Sequence, residues 1–275
     1  MLRSLYEASS VTFEGKTQGH MKFTILNLTL VSLLLASTVG KADYFELRIY
    51  RFTTPEQQAR TERYLEQALL PAMHRAGIKL VGVFKPVETD STYGKKLYVL
   101  IPYRSLDQFV NLTKTLEKDK AYQAQGQDYL DARYDNPPYA RIESIVMNAF
   151  SGMQQLAKPN LKAPAHERIY ELRSYEGHTE KIYRNKVDMF NAGDEIGLFK
   201  RLGFNAVFYG DVISGPRMPN LMYMTTFENQ ADRDAHWKTF VDDPQWKDLS
   251  TRPEYQKNVS KITIYFLRPT AYSDL

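Results

Sequence analysis

The stretch FELRIY at residues 45–50 returns as YELRSY at residues 170–175, 125 positions further along the chain. In both copies apolar and polar side chains alternate, a pattern typical of a half-buried strand. Three further blocks keep the same order at an offset of 124: LVGVFKPV (80–87) aligns with FNAVFYGD (204–211), LYVLIPYRSLDQF (97–109) with LMYMTTFENQADR (221–233), and DKAY (119–122) with DPQW (243–246). Four blocks in one order indicate a duplicated domain.

The duplication divides the chain into a first repeat at residues 43–150, a linker at 151–165 and a second repeat at 166–275. The linker sequence SGMQQLAKPNLKAPA contains two prolines and no periodicity, which is typical of a connecting segment. In the first repeat, hydrophobic spacing predicts the order β-α-β-β-α-β, with strands at 45–50, 80–87, 96–103 and 141–148. The second repeat follows the same order, with strands at 168–175, 206–213, 221–227 and 261–267.

This order is that of the ferredoxin-like fold, in which helices cover one face of an antiparallel sheet. The uncovered face must meet water or another layer, and the nearest layer is the sheet of the other repeat. We therefore predict an α+β fold in which the two sheets face each other and close an α/β barrel with its helices outside. Closure within one chain is favoured. Pairing of each repeat with its twin in a second chain, which would make a homo-oligomer obligatory, is the alternative.

The same blocks resemble the NIPSNAP family. The resemblance rests on YFELRIY (44–50), KLVGVFKPV (79–87), YELRSY (170–175), MFNAGDEIGLFKRLGFNAVFYGDVISGPRMPNLMYMTTFE (189–228), ADRDAHWKTFVDDPQW (231–246) and LRPTAYSDL (267–275). It covers both repeats and is firmest in the second. The first repeat departs from the pattern, because it lacks the MFNAGDE run and has Tyr122 where the second has Trp246.

The resemblance implies a dimeric α/β-barrel fold of the ferredoxin-like superfamily. That superfamily also contains haem-degrading and cofactor-free monooxygenases, chlorite dismutases and stress-response barrel proteins. The family itself brings no settled activity and no agreed catalytic residues. What the resemblance implies is therefore an architecture, and any site is expected in the second repeat.

Composition excludes several functional classes. The chain has 275 residues, a formal net charge of +4 and no cysteine. Without cysteine there is no disulfide scaffold, no thiolate metal site and no lipoprotein anchor. The net charge is low for a nucleic-acid-binding protein, and no Lys/Arg cluster raises it locally, so no nucleic-acid partner is expected. The sequence also lacks a Gly-x-Ser-x-Gly nucleophile motif and a glycine-rich phosphate loop.

Residues 1–42 are predicted to be a leader. The apolar run FTILNLTLVSLLLASTV (23–39) follows a Met-Lys pair and precedes the small-residue exit GKA (40–42). These features describe a secretory signal peptide in which translation starts at Met21 and cleavage follows Ala42. An N-terminal membrane anchor is the alternative, for which the run is short. We expect an exported protein, periplasmic or secreted, with no stable membrane anchor after cleavage.

The duplicated strand supplies the first set of candidate ligand-binding residues. Alternation places three polar side chains of each copy on one strand face: Glu46, Arg48 and Tyr50 in the first repeat, and Glu171, Arg173 and Tyr175 in the second. Because the apolar side chains between them fit a helix-covered side, we predict that these polar faces point into the barrel. There they could orient a polar ligand. The alternative is that the charges form structural ion pairs.

A second set of candidates surrounds the MFNAGDE run and the hairpin that follows it. Polar groups on helix junctions and loops at a barrel mouth often build a small-molecule site. Capping of the helix by Asp194 is an alternative use of the junction, but it gives no reason for Glu195 or Arg217. The candidates are Asn191, Glu195, Tyr209, Arg217, Asn220 and Tyr223.

The histidines predict no metal site, because none is paired at metal-ligand spacing. His236, on the predicted helix 230–241, is placed where haem-binding members of the superfamily have their ligand, so haem is the one cofactor considered. A solvated surface histidine is the alternative. The leading functional hypothesis is a barrel that binds a small polar or aromatic ligand in or near its lumen. A monooxygenase-like enzyme, cofactor-free or haem-linked, is the second hypothesis, and a structural oligomer-forming module is the third.

Overall fold

A computed structural model describes residues 43–275 of the chain. The predicted leader, its start at Met21 and its cleavage after Ala42 lie outside the described residues. Within residues 43–275, no helix combines the length and the apolar character needed to cross a bilayer.

The first repeat contains four strands and a helical layer. In chain order these are β1 (Tyr44–Arg51), α1 (Pro55–Tyr64), a π-helical turn (Leu65–Leu69), α2 (Leu70–Arg75), β2 (Gly82–Pro86), β3 (Lys96–Tyr103), α3 (Leu106–Leu116), α4 (Lys120–Leu130) and β4 (Arg141–Ala149). Pro71 lies in the first turn of α2, directly after the π-helical turn, so the predicted helix is interrupted where the proline removes a backbone donor.

The second repeat has the same strand order and more helices. It comprises β5 (Ile169–Glu176), α5 (Glu180–Asn191), α6 (Glu195–Arg201), β6 (Phe208–Ser214), β7 (Asn220–Phe227), α7 (Gln230–Asp242), α8 (Pro244–Thr251), a 3₁₀ turn (Pro253–Tyr255) and β8 (Lys261–Pro269). Most helices begin at a polar N-cap whose side chain accepts a backbone N–H of the first turn: Thr54, Ser105, Asp119, Thr179, Asn229 and Asp243.

The eight strands close one antiparallel barrel in the order β1-β3-β2-β8-β5-β7-β6-β4. Each repeat contributes four neighbouring strands in the ferredoxin-like order, and the repeats are joined where β2 pairs with β8 and β4 pairs with β6. The order repeats itself after four strands, so a pseudo-two-fold axis along the barrel relates the two halves. The predicted fold is confirmed, and the barrel closes within a single chain.

The predicted orientation of the duplicated strand is wrong. Phe45, Leu47 and Ile49 point into the lumen, where they pack with the inward side chains of both repeats, including Leu172 of β5. The polar sets Glu46–Arg48–Tyr50 and Glu171–Arg173–Tyr175 therefore point outward, under the helices. Both faces of these strands are buried, so alternation alone does not say which face meets the lumen. The apolar side chains face the lumen because a buried polar side chain needs hydrogen-bond partners. The helices supply those partners on the outer face, whereas the strands that enclose the lumen do not.

One end of the barrel is closed by chain segments outside the strands. At the end where β1 begins, the Asp43 N–H donates to the Gln154 carbonyl of the linker at 2.8 Å, and Leu156 packs into the lumen core. Leu275 packs into the same core, and the Asp274 carboxylate accepts the Val81 N–H at 2.8 Å. The opposite end carries a cavity instead.

Candidate functional site

The outward face of β5 is built around a carboxylate with three charged or aromatic donors. Glu171 is 0% exposed. It accepts the Arg173 Nε–H at 2.5 Å, the Arg233 Nε–H at 2.7 Å and the Trp237 Nε1–H at 2.9 Å. Arg233 and Trp237 both come from α7, which crosses this face. The carboxylate is thus fully used inside the protein and holds α7 to the sheet.

Arg173 and two phenols continue this network. The Arg173 guanidinium lies 3.6 Å from the ring centroid of Trp237 and donates to the Tyr175 hydroxyl at 3.0 Å. The Tyr175 and Tyr223 hydroxyls are 2.9 Å apart. Burial, together with the neighbouring Tyr175, raises the pKa of Tyr223 well above its usual value of 10.0, so this phenol stays protonated and can donate.

A buried ion pair faces the same space from the helices. The Lys186 ammonium of α5 donates to Glu195 of α6 at 2.8 Å, and the two residues are only 5% and 2% exposed. The ammonium also lies 4.7 Å from the ring centroid of Phe190 and 5.9 Å from that of Trp246. An ion pair this dry, walled by aromatic rings, is worth less to stability than its Coulomb energy suggests. Glu195 is therefore explained by its ion pair with Lys186, which helix capping by Asp194 did not account for.

At the junction between α5 and α6, Asp194 does not cap the helix as the alternative interpretation of the sequence proposed. Asp194 occupies the N-cap position of α6 with a left-handed φ of 62°, and its side chain makes no capping hydrogen bond. Asn191 is used structurally: its Oδ1 accepts the Ser151 hydroxyl and the Gly152 N–H, each at 2.9 Å. This amide fixes the linker to the end of α5.

A cavity of about 420 Å³ lies between the outer face of β5 and β8 and the helices α5–α8, next to the Glu171 network and the Lys186–Glu195 ion pair. We call it the helix-side cavity. Its polar wall is formed by Arg173, Tyr175, Lys186, Glu195 and Arg233, and the rest is apolar, with Trp237, Phe240 and Trp246 prominent. The chain contains two tryptophans, and both line this cavity. Tyr223 and Tyr209 are fully buried next to it; burial and the charge of Glu195 raise the pKa of Tyr209.

The charges of the helix-side cavity compensate one another. Lys186 pairs with Glu195, Arg173 pairs with Glu171, and Arg233 is shared between Glu171 and Asp234, the latter at 2.9 Å. A ligand in this space therefore meets aromatic surface and hydrogen-bond donors rather than an uncompensated charge. That environment suits an uncharged aromatic molecule with oxygen substituents.

Two other predicted residues lie elsewhere, at the open end of the barrel. Arg217, in the β6–β7 hairpin, has a left-handed φ of 65° and donates to the Tyr265 hydroxyl at 2.8 Å. Asn220 accepts the Ser174 hydroxyl at 3.0 Å. Both line a separate cavity of about 410 Å³, which we call the mouth cavity. The predicted second set is thus split: Glu195, Tyr209 and Tyr223 belong to the helix side and Arg217 and Asn220 to the mouth.

In the first repeat the equivalent polar set is covered by aromatic rings. Glu46 is 2% exposed and accepts Arg48 at 2.9 Å, Tyr103 at 2.9 Å and Ser144 at 2.8 Å. Burial alone would raise the pKa of Glu46, but the charge of Arg48 and these hydrogen bonds hold it below its usual value of 4.5. Tyr50 packs in the helix-covered core of this repeat, among tyrosines of α1 and α4.

His236 lies on α7 and lines neither the helix-side cavity nor the mouth cavity. Its Nδ1 is 2.8 Å from the Asp232 carbonyl oxygen, and its ring packs against Phe204 and Phe227. These contacts engage Nδ1 and pack two aromatic rings of the core against the imidazole. Haem binding stays a prediction from sequence. Among the described residues, no three His, Asp or Glu side chains converge on a point that could hold a metal ion.

Sequence reasoning missed Lys186, Arg233 and Trp246 as parts of the site. Lys186 carried no signal, because its partner Glu195 is nine positions away across a helix junction. The other two had one: aligned with the first repeat, Arg233 replaces Phe109 and Trp246 replaces Tyr122. Differences between two copies of one domain mark where their environments have diverged.

Comparison with solved structures identifies related folds. One, from Lactobacillus acidophilus and provisionally named a monooxygenase, is 11% identical, covers 83% of this chain and 94% of its own, and has a TM-score of 0.54. A second, from Fusobacterium nucleatum with the same provisional name, is 11% identical, covers 83% and 92%, and has a TM-score of 0.51. A NIPSNAP family protein of unknown function from Agrobacterium tumefaciens is 21% identical over 40% of this chain and 96% of its own, with a TM-score of 0.34.

The first two likenesses concern the whole barrel and, at this identity, the fold alone. No curated protein matches the chain. The NIPSNAP family model matches residues 170–274, which run from the second position of β5 to the penultimate residue of the chain. The matched segment contains every residue of the helix-side cavity. The second repeat of this chain therefore matches the NIPSNAP family model along nearly its whole length.

Proposed function

We propose that the protein binds a small, uncharged aromatic molecule with hydroxyl or carbonyl substituents in the helix-side cavity of its second repeat. The observation that carries the proposal is the cavity itself: about 420 Å³ of space lined by both tryptophans and by a set of compensated charges. That volume is within the usual range for small-molecule sites, roughly 300–1,000 Å³.

The lining defines the chemistry of the ligand. The indole of Trp237 is stacked with Arg173 on one side, and Trp246 and Phe240 are tilted against each other with centroids 4.4 Å apart. Flat rings gain most from such walls. The Tyr175 hydroxyl and the Arg173 guanidinium offer donors to a ligand oxygen. No charged ligand is required, because each ion in the wall has its partner.

The test uses 2-naphthol as the probe and tryptophan fluorescence as the readout. Because both tryptophans line the cavity, a bound naphthol should quench their emission with a saturable dependence on concentration. Val259, which lines the cavity, is changed to Phe to fill it, and Val110, exposed on α3, is changed to Phe as the control. We expect V259F to lose saturable quenching and V110F to retain it. Equal quenching of both variants would refute the proposal.

Oxygenation of the bound aromatic molecule is the second candidate function. It is favoured by the likeness of the barrel to two proteins provisionally named monooxygenases. The wall offers Arg173 and the Tyr175 phenol to stabilise an anionic phenolic oxygen, and the buried, protonated phenol of Tyr223 lies within hydrogen-bond distance of the Tyr175 hydroxyl behind it. An oxygen electrode checks this function: the wild type should convert one 2-naphthol and one O₂ into 1,2-naphthoquinone and water, a reaction that balances without a further reductant, and R173Q should not. Binding without O₂ uptake would leave the first function standing and remove the second.

A further inference from the structure

The open end of the barrel lies on the pseudo-two-fold axis, so each position there has a counterpart in the other repeat. Strand register defines the counterparts: Ile49 pairs with Glu143 as Ser174 pairs with Thr263, and Leu47 pairs with Ile145 as Leu172 pairs with Tyr265. The counterparts at the mouth are chemically different. Glu143 faces Thr263 across the axis, Lys96 faces Asn220, and Arg51 faces Glu176.

The positive charges at the mouth outnumber their direct partners. Arg51 pairs with Glu143 at 2.6 Å. Arg217 is held by the Tyr265 hydroxyl and lies 4.0 Å from Glu176. The Lys96 ammonium has no ion-pair or hydrogen-bond partner among residues 43–275. Asp90 is the remaining acidic group near Lys96.

Lys96 is also electrostatically strained. Burial and the positive charges of Arg51 and Arg217 lower the pKa of Lys96, even though Asp90 and Glu143 act in the opposite direction. An anion bound between Lys96 and Arg217 would relieve the repulsion between these groups.

A neutral side chain adds an unused hydrogen-bonding group. Asn220 is 1% exposed and lines the mouth cavity; its Oδ1 accepts the Ser174 hydroxyl, and its Nδ2 has no acceptor among the described residues. Polar groups in a protein interior are usually paired, so an unpaired amide N–H on the wall of a cavity favours a polar ligand.

Below this polar rim the cavity is apolar and aromatic. Its floor includes Leu172 and Met222, and its wall carries the rings of Tyr98 and Tyr265, whose centroids are 6.0 Å apart. The cavity therefore has a cationic rim over an apolar floor with aromatic walls, and residues from both repeats form it.

We propose that the mouth cavity binds a small aromatic carboxylate, with the carboxylate between Lys96 and Arg217 and the ring against Tyr98, Tyr265 and the apolar floor. This site is separate from the helix-side cavity and takes a charged ligand rather than an uncharged one. Because Lys96 comes from the first repeat and Arg217 from the second, it exists only in the closed barrel.

Benzoate is the probe, and isothermal titration calorimetry at low salt is the measurement. We expect benzoate to bind, with benzyl alcohol and inorganic phosphate roughly tenfold weaker or worse, because the first lacks the charge and the second the ring. K96Q and R217Q should each weaken benzoate binding by roughly tenfold. K95Q, at the exposed neighbouring lysine, is the matched control and should bind like the wild type.

Tryptophan fluorescence separates this site from the helix-side cavity, since no tryptophan lines the mouth. Benzoate should leave the fluorescence unchanged and should not compete with 2-naphthol. The proposal is overturned if benzoate does not bind, if K96Q and K95Q bind it equally well, or if phosphate binds as tightly as benzoate. Competition with 2-naphthol would place benzoate in the helix-side cavity and would also overturn it. Circular dichroism of each variant confirms that the barrel is folded.

Discussion

The two repeats use one strand motif in two different ways. In the first repeat, Glu46 is satisfied by Arg48 and by two hydroxyls, and tyrosine rings fill the space under the helices: Tyr64 and Tyr129 stack with centroids 3.7 Å apart. In the second, Glu171 is satisfied by two guanidiniums and an indole, and a cavity remains. The ion pair is thus common to both copies, whereas the side chains that cover it differ.

This difference separates the structural role of the motif from its functional one. A glutamate beside an arginine two positions later serves both repeats as an internal tie, which is the ion-pair alternative inferred from sequence. What distinguishes the second repeat is the replacement of Phe109 by Arg233 and of Tyr122 by Trp246 at aligned positions. The site therefore follows from the covering helices, and the motif alone does not define it.

The largest expected effect comes from removing the two glutamates in turn. Glu171→Gln leaves two guanidiniums without their carboxylate and should lower the free energy of unfolding by about 3–5 kcal/mol. Glu46→Gln should cost less, about 2–3 kcal/mol, because the amide oxygen can still accept from one of the two hydroxyls, Tyr103 or Ser144, and the other hydroxyl can accept from the amide N–H. Urea denaturation of both variants measures the difference. An equal or reversed order would show that the covering residues do not set the role of the motif.

Exchanging the aligned residues Tyr122 and Trp246 tests whether the space between sheet and helices is filled in the first repeat and open in the second. Tyr122→Trp overpacks the first repeat and breaks the 2.7 Å hydrogen bond to Tyr64, so it should cost about 1–3 kcal/mol. Trp246→Tyr borders a cavity and should cost under about 1.5 kcal/mol. The same variant should weaken 2-naphthol binding. Thermal denaturation with and without 2-naphthol checks both statements, and a tolerated Tyr122→Trp would contradict the first.

A smaller effect is expected in the pH dependence of the free energy of unfolding, to which Glu46 of the first repeat should contribute. The pKa of Glu46 is lowered in the folded protein from its usual 4.5, so its contribution to stability is complete above that value and is lost as the pH falls through the folded pKa. The wild type should lose stability below about pH 4.5, and E46Q should lose it less steeply, by up to about 1.4 kcal/mol per pH unit. Parallel curves for the two proteins would rule out this contribution.

The sequence predicted the fold well because its periodicities are strong and because they occur twice. Strand β3 begins at Lys96 and ends at Tyr103 as predicted, and α8, which the predicted elements omit, is a short helix introduced by Pro244. Which face of β1 points into the lumen could not be predicted. Both faces are buried, and an alternating pattern does not show which of two buried faces lies inside the barrel. Deciding between them requires knowing that the lumen is enclosed by strands alone.

The site was harder to predict because its members come from separate elements. Glu195 stood out because capping left it unexplained, and Lys186 explains it. The helix-side and mouth residues are separated because they lie on opposite faces of the sheet. Arg173 pairs with Tyr223 in the strand register, and Asn220, three positions from Tyr223, points to the other face. Sequence spacing within one strand shows which residues share a face, whereas faces of different strands are related only once the register is known.

Closure of the barrel within one chain has a consequence for how the protein can diverge. In a barrel made of two identical subunits, every substitution at the mouth occurs twice, so a new lysine would bring a second lysine across the axis. Fusion of the repeats removes that constraint. Each position at the mouth can change once, and Lys96 opposite Asn220 and Arg51 opposite Glu176 are products of that freedom. The covalent link thereby converts a symmetric opening into one whose two sides carry different side chains and different charges.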